Sequence, residues 1–544
     1  MKKVLTIILL VLVGSAFLTT LQPPVGLATE NEWSERKPMP TAREGLGVAW
    51  LNGRIYAIGG LNDEAILAVN EEYDPVEDAW EIKEPMPTPR YGFAVAVFQS
   101  KIYVFGGTIG TVENSGFTGV TEVYDPVADV WETKAQMLTP RADMCASVVN
   151  GKIYLIGGKN YWADSTIYHE LDVDEVYDPI TDTWTTASSM PVPTFGYASA
   201  VVDGKIYIMG GARQFSPSWN NLTTINSNQV YDAENDTWSN GAELPTPRSY
   251  AAAVATSGVT APEGIYVVGG FDQVDYTSKV QVYDPERNVW KDGTSMPTSR
   301  GYLGLAVADD VLYAVGGSDG ENWYNANEEY RPFGYGTVPP ILEVLSPENR
   351  TYATNNVSLI LNVNKPTNWI GYSLDEKENI TISGDTVFTM LPEGQHRLFV
   401  YVNDTFGNAV SSSDVYFYVD TLSPNILIFA PENKTYDESD LQSIVILDEP
   451  VSWLAYSLDQ QDNVTISSNV TLAALQEGSH NITFYATDLV GNVGVSSTIY
   501  FSIATFPIIW IAGVSVTLTI VIAASYLLLK RRKAPTANKS NKEV

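Results

Sequence analysis

Apolar and polar positions alternate in short bursts along the first three fifths of the chain, and each burst ends in a glycine pair. IYAIGG reaches Gly60, IYVFGG Gly107, IYLIGG Gly158, IYIMGG Gly211, IYVVGG Gly270 and LYAVGG Gly317. Apolar runs this short, closed by glycine, predict buried strands instead of helices. A tyrosine follows each pair, at Tyr73, Tyr124, Tyr177, Tyr231, Tyr283 and Tyr330, and seven residues after the first five stand Trp80, Trp131, Trp184, Trp238 and Trp290. Six residues beyond each tryptophan a second motif, MPTPR or a variant, begins at Met86, Met137, Met190, Leu244 or Met296. The tyrosines and tryptophans of the repeat are read as core.

Two leftovers complement each other. The sixth tyrosine has Thr337 where its tryptophan is due, while Trp33 stands six residues before Met39 with no tyrosine ahead of it. A unit of about 50 residues with four short strands cannot bury its own face, and stacking such units into a ring solves the problem. Trp33 then supplies the outer strand of the last unit. The run of Arg, Gly-Gly, Tyr-Asp and Trp resembles the kelch repeat, and six copies imply a six-bladed β-propeller over residues 31–336.

The connection from each glycine pair to its tyrosine varies most: the spacing is 14 residues in units one, five and six but 18, 20 and 21 in units two, three and four. Long loops on a rigid scaffold usually carry binding residues, so recognition is assigned to the face where these connections emerge. The fifth motif position gives Arg43, Arg90, Arg141, Thr194, Arg248 and Arg300 at the entry to the innermost strand. Two readings of the arginines stand, a ring that clamps carboxylates by bidentate hydrogen bonds or a set of bonds to neighbouring blades. The next two positions add Glu44, Tyr91, Asp143, Phe195, Tyr250 and Tyr302, and the loops add Phe117, Tyr161, Trp162, Trp219 and Trp323. These aromatics either stack on a ligand or pack the loops.

A second repeat begins beyond Pro339 and aligns at an offset of 84 residues: SPENRTY from Ser346 with APENKTY from Ala430, and WIGYSLD from Trp369 with WLAYSLD from Trp453. Alternating runs such as RLFVYVND predict two β-sandwiches, over 339–421 and 423–505, each burying its tryptophan. They resemble the immunoglobulin or fibronectin III-like tandem domains of archaeal cell-surface proteins. Asp404 to Asn408 and Asp488 to Asn492 read either as hairpin turns or as calcium loops.

The ends suggest a compartment. Residues 1–28 carry Lys2 and Lys3, an uncharged run to Leu21 and the small residues Gly26 and Ala28, the pattern of a secretory signal or an uncleaved anchor. Ile508 to Leu529 is 22 residues without a charge, enough to cross a bilayer, and Lys530, Arg531, Arg532 and Lys533 follow it. Such a basic stop keeps the tail (530–544) in the cytoplasm and the bulk outside. The expected fold class is thus all-β, a propeller, two sandwiches and one C-terminal transmembrane helix within 507–529. Sequons stand at Asn221 and Asn235 in the propeller, and at Asn349, Asn356, Asn379, Asn403, Asn433, Asn463, Asn469 and Asn481 beyond it, as on a glycan-coated stalk.

Charge narrows the partners. Between Thr29 and Leu529 lie 63 acidic and 24 basic residues, a net charge of −39 that argues against nucleic acid. The one cysteine, Cys145, aligns with Gly47, Ala94, Ala198, Ala252 and Gly304 and reads as a small buried filler, with no disulfide expected. Kelch-like copper radical oxidases need a Cys–Tyr cross-link and histidine ligands, whereas the propeller has His169 alone, so no metal or cofactor is expected. Kelch-like sialic acid mutarotases need only charged groups near the channel, and Glu44 and Asp143 are of that kind. The leading expectation is a cell-surface binding protein recognising a glycan or an extracellular protein. Sugar-modifying activity and a purely structural envelope role are the alternatives.

Overall fold

The computed structural model describes residues 30–504, apart from 112–113, 162–167 and 215–221. The leader, the apolar run from Ile508 and the basic tail fall outside the described residues, as do Trp162, Trp219 and Asn221. Among the described residues no helix is long and apolar enough to cross a membrane. The chain divides into two compact units, one made of the residues up to Pro340 with Phe406–Asn408 and the other of the remaining residues from Ile341.

The first unit contains six four-stranded antiparallel sheets, numbered here by their innermost strands: Gly47–Leu51, Ala94–Phe98, Cys145–Val149, Ala198–Val202, Ala252–Thr256 and Gly304–Ala308. In the first five sheets the strands follow chain order outwards. In the sixth, Glu32–Glu35 supplies the outer edge, with Trp33 opposite Tyr330. Their rings stack at 4.9 Å, and the Tyr330 hydroxyl donates to Asn31 Oδ1 at 2.8 Å. The other sheets repeat this arrangement within one strand pair, as where Tyr73 stacks near Trp80 and donates to Asp78 at 2.6 Å.

Each tryptophan also ties its sheet to the one before. Trp80 Nε1 donates to Lys37 O, Trp131 Nε1 to Glu84 O, and Trp33 Nε1, across the seam, to Thr294 O at 2.8 Å. The repeated tyrosines are fully buried, but the tryptophans are only half-buried because they sit on the outermost strands. Inner-strand small residues keep the sheets close: a Cβ on Gly47 would approach Val95 to 2.2 Å.

At the axis the sheets join through a closed ring of backbone hydrogen bonds. Gly45 N donates to Tyr302 O, Gly92 N to Gly45 O, Asp143 N to Gly92 O, Gly196 N to Asp143 O, Tyr250 N to Gly196 O and Tyr302 N to Tyr250 O, at 2.6–2.9 Å. All six residues hold a φ between 52° and 60°. Glycine adopts this region freely, whereas Asp143, Tyr250 and Tyr302 occupy it at a cost of roughly 1–2 kcal/mol each.

The connections after the glycine pairs differ between sheets. In sheets two, three and four they form extra hairpins, pairing Thr108–Gly110 with Ser115–Phe117, Lys159–Tyr161 with Tyr168–Glu170, and Ala212–Gln214 with Leu222–Thr224. In sheets one, five and six they are tight turns closed by single bridges. Between its first two strands sheet five has a turn from Ser257 to Glu263, where the buried Asp310 carboxylate accepts from the Ser257, Thr260 and Ala261 amides.

The second unit holds the 84-residue repeat. In each copy a long strand, Gly394–Asp404 or Gly478–Asp488, pairs with Thr367–Leu374 or Val451–Leu458. In the first copy, Leu398, Val400 and Val402 pack with Phe388, Phe417 and Leu359. The expectation that each copy buries its tryptophan is corrected. The two-residue strand period turns Ile370, Tyr372 and Leu374 towards the core and Trp369 to the other face, where it is half-buried and donates to Thr381 Oγ1 at 2.9 Å. Trp453 does the same with Thr465 at 3.1 Å.

In the Asp488–Asn492 turn, Asp488 Oδ1 accepts from the Val490, Gly491 and Asn492 amides, a hairpin-turn arrangement. The copies differ in charge at the position of Lys365, which pairs with Asp404 at 3.0 Å, whereas Glu449 replaces it beside Asp488 and Asp420. Of the sequons, Asn235, Asn349, Asn356, Asn379, Asn433, Asn463 and Asn469 are exposed, while Asn403 and Asn481 are half-buried.

One buried group tests the packing between the strands. Asn70, Asn228 and Asn327 begin the third strands of sheets one, four and six, and each donates its amide to a main-chain carbonyl. Sheet three has Asp174 there, buried with both carboxylate oxygens unpartnered, and burial pushes its pKa up to about 8. A raised carboxyl pKa costs nothing below the unfolded value near 4 and a growing amount as pH rises towards 8. Asp174→Asn should therefore raise the melting temperature, with the gain widening between about pH 4 and pH 8 in thermal unfolding scans.

Candidate functional site

The face that carries the three hairpins also carries the motif entries. The residue after each motif arginine, or Thr194, bridges the residue after a glycine pair: Glu44 with Leu61, Tyr91 with Thr108, Ala142 with Lys159, Phe195 with Ala212, Ser249 with Phe271 and Gly301 with Ser318. The next residue enters the axial ring. Side chains from these two positions therefore surround the mouth of the channel on the hairpin side.

The arginines themselves require a correction. Arg43, Arg90, Arg141 and Arg300 are 0% exposed and Arg248 is 1% exposed, so none presents a free guanidinium to a ligand. Four of them pair with a glutamate of the third strand in their own sheet: Arg43 with Glu71 at 2.6 Å, Arg141 with Glu175 and Arg300 with Glu328 at 2.7 Å, and Arg90 with Glu122. The alternative expectation, a bond to a neighbouring blade, is corrected for the same reason. Each cation also donates to carbonyls, as Arg43 does to Thr41 O and Ala57 O at 2.8 Å, and the motif threonine Thr41 donates to Glu71 at 2.7 Å. Burial lowers the pKa of Arg43, Arg90 and Arg300, and the paired glutamates oppose that shift.

Sequence reasoning missed these glutamates, although a signal was available. The residue two before each repeat tyrosine is Glu71, Glu122, Glu175, Gln229, Gln281 and Glu328. Where the arginine is replaced by Thr194, the glutamate is replaced by Gln229, whose amide exchanges two hydrogen bonds with the Val192 backbone. Sheet five is the exception: Gln281 stands at the glutamate position, its Oε1 and the Arg248 Nη2 both lack hydrogen-bond partners, and burial lowers the Arg248 pKa to about 10.

The groups that remain at the mouth are polar and aromatic. Glu44, Tyr91, Asp143, Tyr250, Tyr302 and Trp323 are partly exposed, whereas Phe195 is fully buried and is corrected from a ligand-contacting residue to a packing one. Asp143 pairs with Lys159 at 2.5 Å, and the Lys159 ammonium lies 5.3 Å from the Phe195 ring centre. The Tyr250 and Tyr302 rings stack at 3.9 Å. Tyr276 leans over sheet six, so that a Cβ on Gly301 or on Gly320 would meet its ring at 3.0 Å. Burial pushes the Glu44 carboxyl above the usual range and Asp143 adds to the push, while Ser318 and Trp323 beside it oppose it.

Lys159 and Tyr276 are mouth residues that the motif-entry positions did not reveal. Lys159 directly follows its glycine pair, and that position was open to reading in every unit. In the hairpins, Phe117 packs against Tyr161 at 4.6 Å. Cys145 is partly exposed instead of fully buried, and burial of its thiol pushes the pKa to about 12, far from a neutral-pH nucleophile.

Known proteins share the repeat. Residues 131–317 match the KLHDC2/KLHL20/DRC7 kelch-repeats domain, and residues 42–87 and 89–138 match the kelch motif. Kelch-like protein terF of Aspergillus terreus is 28% identical over 233 residues, 41% of this chain and 49% of that protein. Human Kelch-like protein 23 is 27% identical over 272 residues, 49% of this chain and 45% of that protein. Beta-scruin of Limulus polyphemus is 29% identical over 194 residues, 34% and 20% of the two chains. The chain thus spans less than half the length of each of these relatives. The solved structure of YjhT aligns with a TM-score of 0.45 at 17% identity, over 54% of this chain and 96% of that one.

The repeats, the ring of sheets and the kelch-repeat matches over residues 42–317 define a β-propeller. The chain is a kelch-repeat protein.

The unpaired arginine supplies a direct test of the pairing. Gln281→Glu should complete the fifth ion pair and stabilise the unit by on the order of 2 kcal/mol, because the buried cation already bears its desolvation cost. Denaturant melts that show no gain, or a loss, would mean that Arg248 is satisfied without a carboxylate.

Proposed function

We propose that the chain is a cell-surface recognition protein whose propeller binds an extracellular protein through the face bearing the three hairpins. The observation that carries this reading is the coincidence on one face of three adjacent hairpins and a mouth where Asp143, Tyr250 and Tyr302 keep a left-handed backbone. Glycine serves at the equivalent place in the other three sheets, so the strained side chains are kept for some purpose other than ring closure. Partly exposed tyrosines beside polar groups suit protein recognition. The buried arginines hold the scaffold and are not part of the contact.

In this reading, residues 1–28 direct export, the apolar run within 507–529 anchors the chain and the tail 530–544 stays inside. The 84-residue repeats then act as a sequon-rich spacer between membrane and propeller. The partner comes from outside the cell, and a surface glycan is the second ligand class to test.

The test uses the full-length protein in lipid nanodiscs, probed with a library of extracellular proteins and with a glycan array. Replacing the hairpin tips of sheets two, three and four by two-residue turns should abolish capture of any protein ligand while the melting temperature stays within a few degrees. Ligands retained by that variant would move recognition elsewhere, and the absence of every ligand would favour a structural envelope role.

A further inference from the structure

The charge around the mouth is one-sided. The six connections after the glycine pairs, residues 61–69, 108–120, 159–173, 212–227, 271–279 and 318–326, hold ten acidic residues and three basic ones, Lys159, Arg213 and Lys279. Two of those three are already engaged: Lys159 with Asp143 at 2.5 Å and Arg213 with Glu170 at 3.5 Å. The third, Lys279, is exposed at the foot of the third strand of sheet five. Glu44 has no basic partner among the described residues, although it stands beside the axial ring.

The surroundings of Glu44 differ from those of Asp143. On the Asp143 side the ion pair to Lys159 and the buried Phe195 fill the space. On the Glu44 side, sheet six contributes small residues, Gly301, Ser318 and Gly320, and aromatic rings border them: Tyr276 against both glycines, Trp323 bridged to Ser318, and Tyr302 stacked on Tyr250. A carboxylate beside aromatic rings and small residues is a receptor for a planar cation, since the carboxylate accepts its fork of N–H groups and the rings face its flat surface.

We propose that the axial mouth bounded by Glu44, Tyr276, Tyr302 and Trp323 receives an arginine side chain of the partner protein, whose guanidinium pairs with the Glu44 carboxylate against the tyrosine rings. This rests on the reading that the hairpin face is the recognition surface, and it adds the chemistry of the residue recognised. The net negative charge of the connections draws a basic segment towards the mouth before the contact forms.

The probe is the capped tripeptide acetyl-Gly-Arg-Gly-amide, titrated into full-length protein and followed by NMR, beside its glutamine and glutamate analogues and free agmatine. The arginine peptide is expected to bind at least tenfold more tightly than the glutamine analogue, and the glutamate analogue not at all. Glu44→Gln and, separately, Tyr276→Ala should each weaken binding at least fivefold, while Glu321→Gln, an exposed acid of the same face, should not. The proposal is overturned if the glutamine or glutamate analogue binds as well as arginine, if Glu44→Gln folds and binds unchanged, or if no arginine-specific binding occurs up to about 10 mM. Tighter binding of agmatine than of the peptide would assign the mouth to a small amine and overturn the partner-protein source. A protein ligand that the hairpin variant loses but that the arginine peptide does not displace would leave the recognition reading standing and remove this one.

Discussion

Six backbone hydrogen bonds around one axis set what the rest of the first unit can do. Each sheet contributes one residue with φ near 55°, and that residue both donates to the sheet before it and accepts from the sheet after it. The ring closes only if all six sheets hold one radius and one tilt. The small residues on the innermost strands and the tryptophan indoles reaching back to the preceding connection supply those two conditions. The seam obeys the same rule, because Trp33 and Asn31 repeat across the chain ends the geometry that other sheets build from neighbouring strands.

Behind the ring lies a layer of buried charge. An arginine whose head is fully buried needs its cation neutralised, and the glutamate of the third strand does that while nearby carbonyls take most of the remaining N–H groups, leaving Nε of Arg43 and Arg141 without a partner. The pairs clamp the entry of the innermost strand to the middle of the same sheet, which keeps the mouth residues in register. Sheet four reaches the same end with neutral groups, Thr194 and Gln229, and sheet five stops half way with Arg248 and Gln281. The mouth is thus built on a rigid base, and its variable chemistry comes from the one or two residues that follow the clamp.

Much of this was legible in the sequence, for a physical reason. Ring closure demands the same glycine, tyrosine and tryptophan in each unit, so the repeat appears as fixed spacings and the orphaned Trp33 announces the seam. The three longer connections were likewise visible as spacings and appear as hairpins. The fate of the arginines was not, because a motif position gives the residue's place on the strand but not which way its long side chain turns. Glu71 lies 28 residues from Arg43, and only the co-occurring change at Thr194 and Gln229 hinted at a pair. Trp369 was misjudged for a related reason: a two-residue period leaves the choice of face to the partner strands, and Ile370, Tyr372 and Leu374 took the core.

The axial ring is one cooperative element closed by the strand at Glu32–Glu35. Hydrogen exchange resolved to single amides tests it most directly, comparing the native chain with Trp33→Ala. The amides of Gly45, Gly92, Asp143, Gly196, Tyr250 and Tyr302 are expected to share one opening free energy and to lose protection together in the variant, although Trp33 is hydrogen-bonded to none of them. Staggered opening free energies in the native chain, or a loss confined to the sheets beside the seam, would contradict it.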